Sequence, residues 1–314
     1  MTPLDVRPPV AAALAKGGPV VALESTVVAH GLPWPENLEV AHALQAAVRE
    51  AGAVPATIGL VDGRIVAGLS DAELERFARG GRAVAKVSRR DLAPVLARRA
   101  LGATTVAGTM IGARLAGIPL MATGGLGGVH RNAIETFDIS SDLAELARTP
   151  VAVVCSGAKS ILDLPRTLEL LEGLGVPVVG YGTGGFPAFY SRDSGLPLPH
   201  RVESPAEAAA LIDAQRALAL GCGLVLANPP PAETALEHDE VERLLTEAEV
   251  EAAAQGVAGP AVTPFLLGRL HQASAGRTLD ANRALLVANA RLAGQVAVAL
   301  SNLPQDKQEK GAAP

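Results

Sequence analysis

The chain has 314 residues, of which 49% are hydrophobic and only 3% aromatic, and its formal net charge is −5. An acidic chain has no overall attraction for nucleic acid or for anionic membranes. No uninterrupted apolar run reaches the roughly 20 residues that span a bilayer, and the N-terminal segment lacks the pattern of a secretory signal. We therefore expect a soluble, cytoplasmic protein with neither a nucleic-acid nor a membrane partner.

Short apolar segments alternate with amphipathic helical segments over residues 18–303. Apolar segments that are continuous, rather than alternating with polar residues, are typical of a parallel sheet covered on both faces. In chain order the predicted strands are PVVALEST (19–26), VAKVS (84–88), TTVAG (104–108), PLMATGG (119–125), VAVVCS (151–156), VPVVGYGT (176–183) and GLVLANPPP (223–231). The predicted helices are 36–52, 91–102, 111–117, 142–148, 161–175 and 205–221, followed by a helical C-terminal part over 238–256 and 280–303.

One segment departs from this alternation. In ATIGLVDGRIVAGL (56–69) the Asp62-Gly63 pair separates two β-rich runs and predicts an antiparallel hairpin. Ser70 and Glu73 then form a capping-box pattern that opens the next helix. The sequence thus predicts an α/β fold: a three-layer α/β/α domain over residues 1–303 with a mainly parallel central sheet and a small antiparallel hairpin. The polar residues 304–314 are expected to be a disordered tail.

The only two cysteines, Cys155 and Cys222, both lie in apolar runs. A buried cysteine behaves as a small hydrophobic residue, and two cysteines make neither a disulfide framework nor a zinc ligand set. We expect both thiols to be free and inert.

The carboxyl ends of parallel strands carry the ligand site in open α/β sheets, so polar residues at predicted strand ends are the candidates for function. Glu24 follows the first strand in LEST, where burial would raise its pKa and make it a usable general acid. The alternative is a carboxylate satisfied by neighbouring backbone amides. Lys86 lies in the apolar run VAKVS and indicates an anionic partner, either a protein carboxylate or a substrate phosphate, or else an edge strand.

The segment from ATGGLGGVH (122–130) to FDISSD (137–142) contains further candidates. His130 follows a glycine-rich run and is either a substrate hydrogen-bond donor or a structural turn residue. Ser140, Ser141 and Asp142 are favourable N-cap residues, and a helix N-terminus also suits a phosphate group. Helix capping does not explain Asp138. A site with one carboxylate ligand, in which water completes the coordination shell, suits Mg²⁺ or Mn²⁺.

Lys159, in VAVVCSGAKS, follows a predicted strand and is expected to lie at the N-terminal edge of the next helix. Cations normally favour the opposite end of a helix. A partly desolvated lysine placed there would lose its proton more easily and act as an amine nucleophile. The alternative is a lysine whose tip reaches water; we favour the nucleophile.

Nine motifs occur in one order with compatible spacing: ALESTVVAHGLPWPENLE, VAKVSRRDL, TTVAGTM, ATGGLGGVHR, TFDISSDL, VCSGAKSILDL, GYGTGGFPAFY, LVLANPPP and VTPFLL. Together they closely resemble the pseudouridine-5'-phosphate glycosidase family, also called the indigoidine synthase A-like family, over about residues 10–303. The resemblance implies reversible cleavage of the C–C glycosidic bond of pseudouridine 5'-phosphate into uracil and ribose 5-phosphate. It also implies one Mn²⁺ or similar divalent ion, such as Mg²⁺, in each subunit of a homotrimer.

The resemblance also assigns roles to residues. It implies that Lys159 is the nucleophile, which forms an imine with the ring-opened sugar, and that Glu24 is the proton donor. It makes Asp138 the metal ligand. It implies substrate contacts by Lys86, Val106, Ser140, Ser141 and Asp142, and contacts to the uracil by Thr123, His130 and Asn282.

Two segments depart from the family pattern: Gly184-Gly185, where polar or acidic residues are frequent, and Pro260-Ala261, where a lysine and a polar residue are common. Two other kinds of function fit the residues without the resemblance. One is a class I aldolase-type lyase that acts on a phosphosugar through a lysine imine and releases two carbonyl fragments. The other is a non-catalytic phosphosugar-binding sensor.

Overall fold

A computed structural model describes residues 3–257 and 262–304 of the chain. Its centre is a sheet in which six strands run parallel in the order β2-β7-β9-β13-β11-β12. These strands are β2 (Val20–Leu23), β7 (Leu120–Ala122), β9 (Ala152–Cys155), β13 (Leu224–Ala227), β11 (Val178–Tyr181) and β12 (His200–Val202). Every residue of β2, β7, β9 and β13 is buried, as the continuous apolar runs predict.

The longest strand, β3 (Val54–Val61), joins this parallel sheet to a smaller mixed part. Its first half pairs in parallel with β2, whereas its second half is antiparallel to β4 (Arg64–Ala67) and β6 (Gly102–Thr104). Strand β1 (Leu4–Val6) pairs in parallel with β4, and β5 (Ala85–Val87) pairs in parallel with β6. A two-strand ribbon of β8 (Val129–His130) and β10 (Leu162–Asp163) lies apart from the sheet.

The predicted hairpin is confirmed, because β3 and β4 pair around Asp62 and Gly63, which both have positive φ angles. These angles are the ones that a two-residue hairpin turn requires. The capping box is confirmed as well: the Ser70 hydroxyl accepts the Glu73 N–H, and the Glu73 carboxylate accepts the Ser70 N–H.

Helices cover both faces of the sheet, and the predicted three-layer architecture is confirmed. One layer contains α2, α9 and α12, which pack on one another, and α12 also packs on β2, β7 and β9; α5 and α7 pack together in the other layer. The helices are α1 (Pro8–Ala15), α2 (Glu36–Glu50), α3 (Asp71–Gly80), α4 (Leu92–Ala97), α5 (Val106–Ala116), α6 (Ala133–Thr136), α7 (Ser141–Leu146), α8 (Leu164–Gly173), α9 (Pro205–Ala217), α10 (His238–Ala254), α11 (Val262–Ala273) and α12 (Arg277–Ser301).

Helix α12 is long and apolar enough to cross a membrane by length and composition, with a mean hydropathy of 1.4 over its most apolar window. Its position is that of a core helix, since Leu285, Ala293 and Val296 are buried and Asn289 forms hydrogen bonds to strand ends. A buried asparagine in the middle of α12 has its hydrogen-bond partners in the sheet, as expected for a helix that packs on the sheet.

Three predicted elements were wrong in detail. The helix predicted over 91–102 ends at Ala97, and Gly102 instead begins β6. The segment TTVAG is not a strand, because β6 ends at Thr104 and the Thr105 hydroxyl accepts the Gly108 N–H to cap α5. A capping threonine thus outweighs the β-propensity of the run. Segment 161–175 is helical only from Leu164, after β10. The predicted tail from residue 305 and the Pro260-Ala261 departure lie outside the described residues.

Candidate active site

Three neighbouring parallel strands end in polar residues at one edge of the sheet. Glu24 follows β2, Thr123 follows β7 and Ser156 follows β9. Because β7 pairs with both β2 and β9, these residues lie side by side at the carboxyl edge of the sheet. A cavity of about 800 Å³ elsewhere, between α8 and residues 196–200, shares none of the candidate residues. The strand ends therefore define the candidate site, as the α/β architecture predicts.

The Glu24 carboxyl group has the environment of a general acid. Its Oε2 accepts a hydrogen bond of 2.8 Å from the Thr123 hydroxyl. Burial raises the pKa of Glu24, and it outweighs the lowering effects of the Lys159 ammonium and the Thr123 hydrogen bond. Of the weaker influences, Asp142 raises this pKa and Lys86 lowers it. Among the described residues the carboxylate accepts its hydrogen bond from a hydroxyl, so the alternative of a carboxylate satisfied by backbone amides is wrong.

Lys159 is positioned by continued strand pairing rather than by a helix. After β9 the chain stays beside the end of β7: Leu126 N–H donates to Gly157 O at 2.9 Å, and Lys159 N–H donates to Leu126 O at 3.1 Å. The next helix, α8, begins only at Leu164, so the expected position at a helix N-terminus is wrong. Lys159 thus lies beyond the end of β9 and Glu24 beyond the end of β2, with β7 between the two strands, and the lysine charge lowers the pKa of the carboxyl group.

Gly157 makes the turn that leads to Lys159. Its φ angle is +75°, and a Cβ atom at this position would lie 1.9 Å from the carbonyl oxygen of Pro187. Both features require a glycine, because an L side chain is strained at this φ angle and the close neighbour is backbone. The Ser-Gly pair in SGAKS therefore brings residues 156–159 under the 186–189 segment.

We expect Gly157→Ala to lower the free energy of unfolding by about 2 kcal/mol or more, since the left-handed φ angle and the clash with Pro187 O both oppose the side chain. Urea unfolding measures the change. Gly173→Ala is the matched control, because no atom lies within 4 Å of its Cβ position and it ends a regular helix; alanine should stabilise that helix slightly. Equal midpoints for the two variants would contradict this account.

Lys86 lies on the exposed side of the short strand β5, which pairs with β6, and not in a buried strand. Its charge nevertheless lowers the pKa of both Glu24 and His30. Val106 is the first residue of α5, which begins directly after β6. A lysine and the N-terminal residue of a helix thus lie next to each other, an arrangement suited to a phosphate group.

The 127–142 segment forms the rim beside these strand ends. Asp142 is buried, and its carboxylate accepts the N–H groups of Ala107 at 3.0 Å and Gly127 at 2.9 Å. Ser140 caps α7 by accepting the Asp142 N–H, as predicted, and Ser141 is exposed. Asp142 therefore joins α5 to the glycine-rich segment, and its direct contact with substrate stays a prediction.

Asp138 and His130 form a pair on this rim. The Asp138 carboxylate is exposed, its Oδ2 is 3.7 Å from His130 Nδ1, and the His130 N–H donates to Asp138 O. The described residues contain no cluster of three or more metal-ligating side chains. One accessible carboxylate fits a hard divalent ion that keeps most of its water ligands, and it does not fit a closed protein site such as structural zinc.

Asn282 lies in α12 two turns before Asn289, on the same helix face. Because Asn289 donates to Thr123 O while Gly294 packs against Val48 and Ala51 at the end of α2, the N-terminal half of α12 points to the carboxyl edge of the sheet. Asn282 is therefore placed above that edge, and its contact with uracil stays a prediction.

Sequence reasoning missed two residues that hold the site together. Asn289 is completely buried and forms hydrogen bonds at the ends of β7, β9 and β13. Arg131 donates to Ser160 O at 3.0 Å, beside Lys159, and to Glu242 of α10 at 2.7 Å. An asparagine inside the apolar repeat of a core helix is the one local signal for Asn289. Nothing near Arg131 in the sequence indicates Glu242, which is 111 residues away.

The cysteines are free and buried, as predicted. Burial raises the pKa of the Cys155 thiol to about 12. A thiol with this pKa stays protonated at neutral pH and is inert as a nucleophile. Although Cys155 precedes the site by only a few residues, it serves as packing within β9.

The fold and the site define a three-layer α/β enzyme in which a carboxyl group of raised pKa and a lysine lie at one edge of the parallel sheet. Residues 9–299 match the indigoidine synthase A-like protein family, and the chain belongs to that family. It is 55% identical over 299 residues to a pseudouridine-5'-phosphate glycosidase of Jannaschia sp. (strain CCS1), with 95% of this chain and 99% of the relative covered. A pseudouridine-5'-phosphate glycosidase of Cupriavidus pinatubonensis is also 55% identical, over 95% of each chain.

Two solved structures share the fold. The prealnumycin C-glycosynthase AlnA, in complex with ribulose 5-phosphate, superposes with a TM-score of 0.89 at 42% identity, covering 95% of this chain and 97% of that one. An indigoidine synthase A-like protein of Thermotoga maritima superposes with a TM-score of 0.85 at 41% identity, covering 96% and 97%. The architecture of the chain is therefore that of solved family members.

Proposed function

We propose that this enzyme cleaves the C–C glycosidic bond of pseudouridine 5'-phosphate and releases uracil and ribose 5-phosphate. The observation that carries the proposal is that Glu24 and Lys159 follow the strands on either side of β7 at one edge of the sheet, where burial raises the pKa of the carboxyl group despite the lysine charge. The names of relatives at 55% identity support the substrate, and the ribulose 5-phosphate complex of AlnA supports a phosphosugar ligand.

The chemistry explains why a lysine is needed. Ordinary glycosidases protonate a leaving oxygen, but in pseudouridine the base is attached through carbon. The neutral Lys159 amine attacks C1' and forms a C–N bond while the bond from C1' to the ring oxygen breaks, and the proton that the nitrogen gives up passes to the released oxygen. Cleavage of the C1'–C5 bond then leaves an iminium at C1', with the bonding electron pair retained by the uracil ring. Water hydrolyses the iminium to ribose 5-phosphate and frees the lysine, so a difficult step becomes two easier ones.

The departing uracil carbon must gain a proton, and Glu24 supplies it. A carboxyl group with a raised pKa is protonated at a higher pH than an exposed one, which suits a general acid. Thr123 holds the carboxyl group from the β7 side through its hydroxyl. In the reverse direction the same carboxylate would remove the proton from C5, so the arrangement also serves synthesis of the C–C bond.

Substrate binding uses the remaining candidates. Lys86 and the Val106 N–H at the start of α5 would receive the 5'-phosphate together with Ser140 and Ser141 on the opposite rim. Asp142 holds the start of α5 and the glycine-rich segment together, because its carboxylate accepts hydrogen bonds from Ala107 N–H and Gly127 N–H. Thr123, His130 and Asn282 would contact the uracil, as the family resemblance implies.

Asp138 would hold a divalent ion, Mn²⁺ or Mg²⁺, mainly through ordered waters. When bound, the ion would supply positive charge and orient ligands at the rim of the site. His130 lies close enough to share a water with Asp138, since their side chains are 3.7 Å apart.

We expect Asp138→Asn to raise the Mn²⁺ concentration needed for half-maximal activity by about 10-fold or more, because the amide loses the negative charge that a hard cation prefers. Titration of the metal-stripped enzyme with Mn²⁺ measures the change. Asp163→Asn is the control: Asp163 also carries a carboxylate beside the 129–130 strand, at the end of β10, but it caps α8. An unchanged Mn²⁺ requirement in Asp138→Asn would show that the ion binds elsewhere.

The proposal is tested by incubating the enzyme with pseudouridine 5'-phosphate and Mn²⁺ and measuring free uracil. Release of uracil and ribose 5-phosphate in equal amounts supports it, and their recombination in the reverse assay supports reversibility. Two carbonyl fragments without free base would indicate an aldolase, and binding without turnover would indicate a sensor. Light scattering tests the homotrimer, and cell fractionation tests the cytoplasmic location, both of which we propose from the family resemblance.

A further inference from the structure

Asn289 is a completely buried side chain at the centre of α12, and it contacts three strand ends at once. Its Nδ2 donates to Thr123 O at 2.9 Å and to the Ser156 hydroxyl at 3.1 Å. Its Oδ1 accepts a hydrogen bond of 2.9 Å from Asn228 Nδ2. These partners follow β7, β9 and β13, so a single amide joins the ends of three parallel strands.

The bond to Thr123 fixes the residue that contacts Glu24. Thr123 N–H donates to Val154 O at 3.0 Å and its carbonyl accepts from Asn289, so its backbone is held on both sides. Threonine is restricted at χ1, and a fixed backbone therefore fixes its hydroxyl, which lies 2.8 Å from Glu24 Oε2. Gly124 and Gly125 follow Thr123 directly, and because glycine restricts the backbone less than other residues do, they do not help to fix Thr123.

The contact with Ser156 acts on the other catalytic strand end. Ser156 begins the SGAKS segment, its N–H donates to Gly124 O at 2.8 Å, and its hydroxyl lies next to the Asn289 amide. Three residues later the segment carries Lys159. Asn289 is thus the bridge between the backbone that orients the acid and the backbone that carries the nucleophile.

We propose that Asn289 is a positioning residue that sets Thr123 against Glu24 and holds the Ser156–Lys159 segment in register with it. Asn289 lies under the strand ends and acts through these neighbours, without touching the substrate itself. Its effect on turnover rests on the proposed function, whereas its effect on Glu24 does not. Because the phosphate candidates Lys86 and Ser140 lie on other elements, the role predicts a loss in kcat with little change in KM.

The first test compares Asn289→Leu with Asn37→Leu. Asn37 is a control because it is also a buried helical asparagine, and its Nδ2 donates to two backbone carbonyls, Val28 O and Ala78 O. Both variants lose buried side-chain hydrogen bonds and should lose comparable stability. We expect kcat to fall about 10- to 100-fold in Asn289→Leu with KM within about 3-fold, as for a small misplacement of catalytic groups. An equal fall in both variants would overturn the proposal.

The second test is independent of turnover. In Glu-labelled enzyme, the carbon-13 signal of the Glu24 carboxyl group, assigned with Glu24→Gln, is titrated with pH. Glu24 is faced by Lys159, Lys86, Asp142 and the Thr123 hydroxyl, whose hydrogen bond lowers its pKa. Loss of that bond in Asn289→Leu should move the titration to higher pH, whereas Asn37→Leu should leave it unchanged.

A further variant separates positioning from general packing. Thr123→Val removes the hydroxyl itself, so Asn289→Leu should cause no further shift of the Glu24 titration in that background. If Asn289→Leu fails to fold, Asn228→Ala removes the group that orients the Asn289 amide and should give a smaller shift in the same direction. If the variant folds and the pH titration of the Glu24 carboxyl signal does not shift, the proposal is contradicted. If the Glu24 titration shifts in Asn289→Leu but the unsubstituted enzyme releases no uracil, the positioning role stands and only the proposed function is contradicted.

Discussion

The Lys159→Ala enzyme is expected to release no measurable uracil from pseudouridine 5'-phosphate while it keeps its fold. We expect kcat to fall at least about 10⁴-fold, in the range found when a covalent nucleophile is removed. The fold should survive because Lys159 is only partly buried, and its backbone bonds to Leu126 and Leu162 do not need the side chain. Uracil release over time, with circular dichroism for the fold, measures both expectations.

Two lysine variants separate nucleophilic from electrostatic roles. Lys159→Arg keeps the positive charge near Glu24 but offers no amine that forms an imine, so it should be as inactive as Lys159→Ala. Lys86→Met should instead raise KM for the phosphorylated substrate and keep the covalent chemistry. Substantial turnover by Lys159→Arg would show that the charge at this position is sufficient and would exclude the imine mechanism.

The proposed covalent step can be tested directly. Borohydride reduces an imine to a stable amine, so treatment of the enzyme with ribose 5-phosphate and borohydride should add the reduced sugar phosphate to the peptide that contains Lys159. Mass spectrometry of digested enzyme identifies the site. Lys86→Met should still be labelled at Lys159. If the label were on Lys86, Lys86 would be the nucleophile and Lys159 the phosphate ligand. Both assignments are open to test because the charges of both lysines lower the pKa of Glu24.

The sequence predicts the parts of the site that depend on strand ends. Glu24 and Lys159 each follow a short apolar run, and β2, β7 and β9 are indeed adjacent and parallel. Knowing that strands end at one edge is sufficient to bring such residues together. The hairpin at Asp62-Gly63 was predictable for a local reason, because two successive positive φ angles favour that pair of residues.

The features that sequence reasoning missed depend on distant contacts. Lys159 was expected at the start of a helix, but pairing with Leu126 keeps its segment extended, and α8 begins five residues later. No local pattern reveals that Pro187 O approaches Gly157, or that Asn289 reaches Thr123 from 166 residues away. Tertiary contacts of this kind override local propensity, and they set the geometry in which the catalytic groups meet.

The Glu24→Gln enzyme is expected to lose about 10²- to 10⁴-fold in kcat, the contribution that a positioned general acid makes. Glutamine keeps the size and polarity of the side chain but has no carboxyl proton to give to C5 of uracil. Lys159 remains in place, so borohydride trapping with ribose 5-phosphate should still label it. Loss of trapping together with turnover would assign Glu24 to imine formation instead of proton donation.

The same substitution should stabilise the fold near neutral pH. The pKa of Glu24 is raised in the folded state above its ordinary value of 4.5, so folding disfavours the ionised form. The contribution of Glu24 to stability is therefore fully present below pH 4.5 and is lost as the pH rises through the folded-state pKa. Glu24→Gln should unfold at a higher temperature than the wild type at pH 8, and this advantage should shrink towards pH 4.

Glu240→Gln provides a control of opposite sign. Its carboxylate pairs with Arg277 between α10 and α12, and the hydrogen bond from Arg277 lowers its pKa. The contribution of Glu240 to stability is present above its ordinary pKa and lost as the pH falls, so Glu240→Gln should lower the unfolding temperature slightly at pH 8. If Glu24→Gln also lowered it there, the buried carboxyl group would be ionised and stabilised by Lys159, and Glu24 would start the reaction as a base.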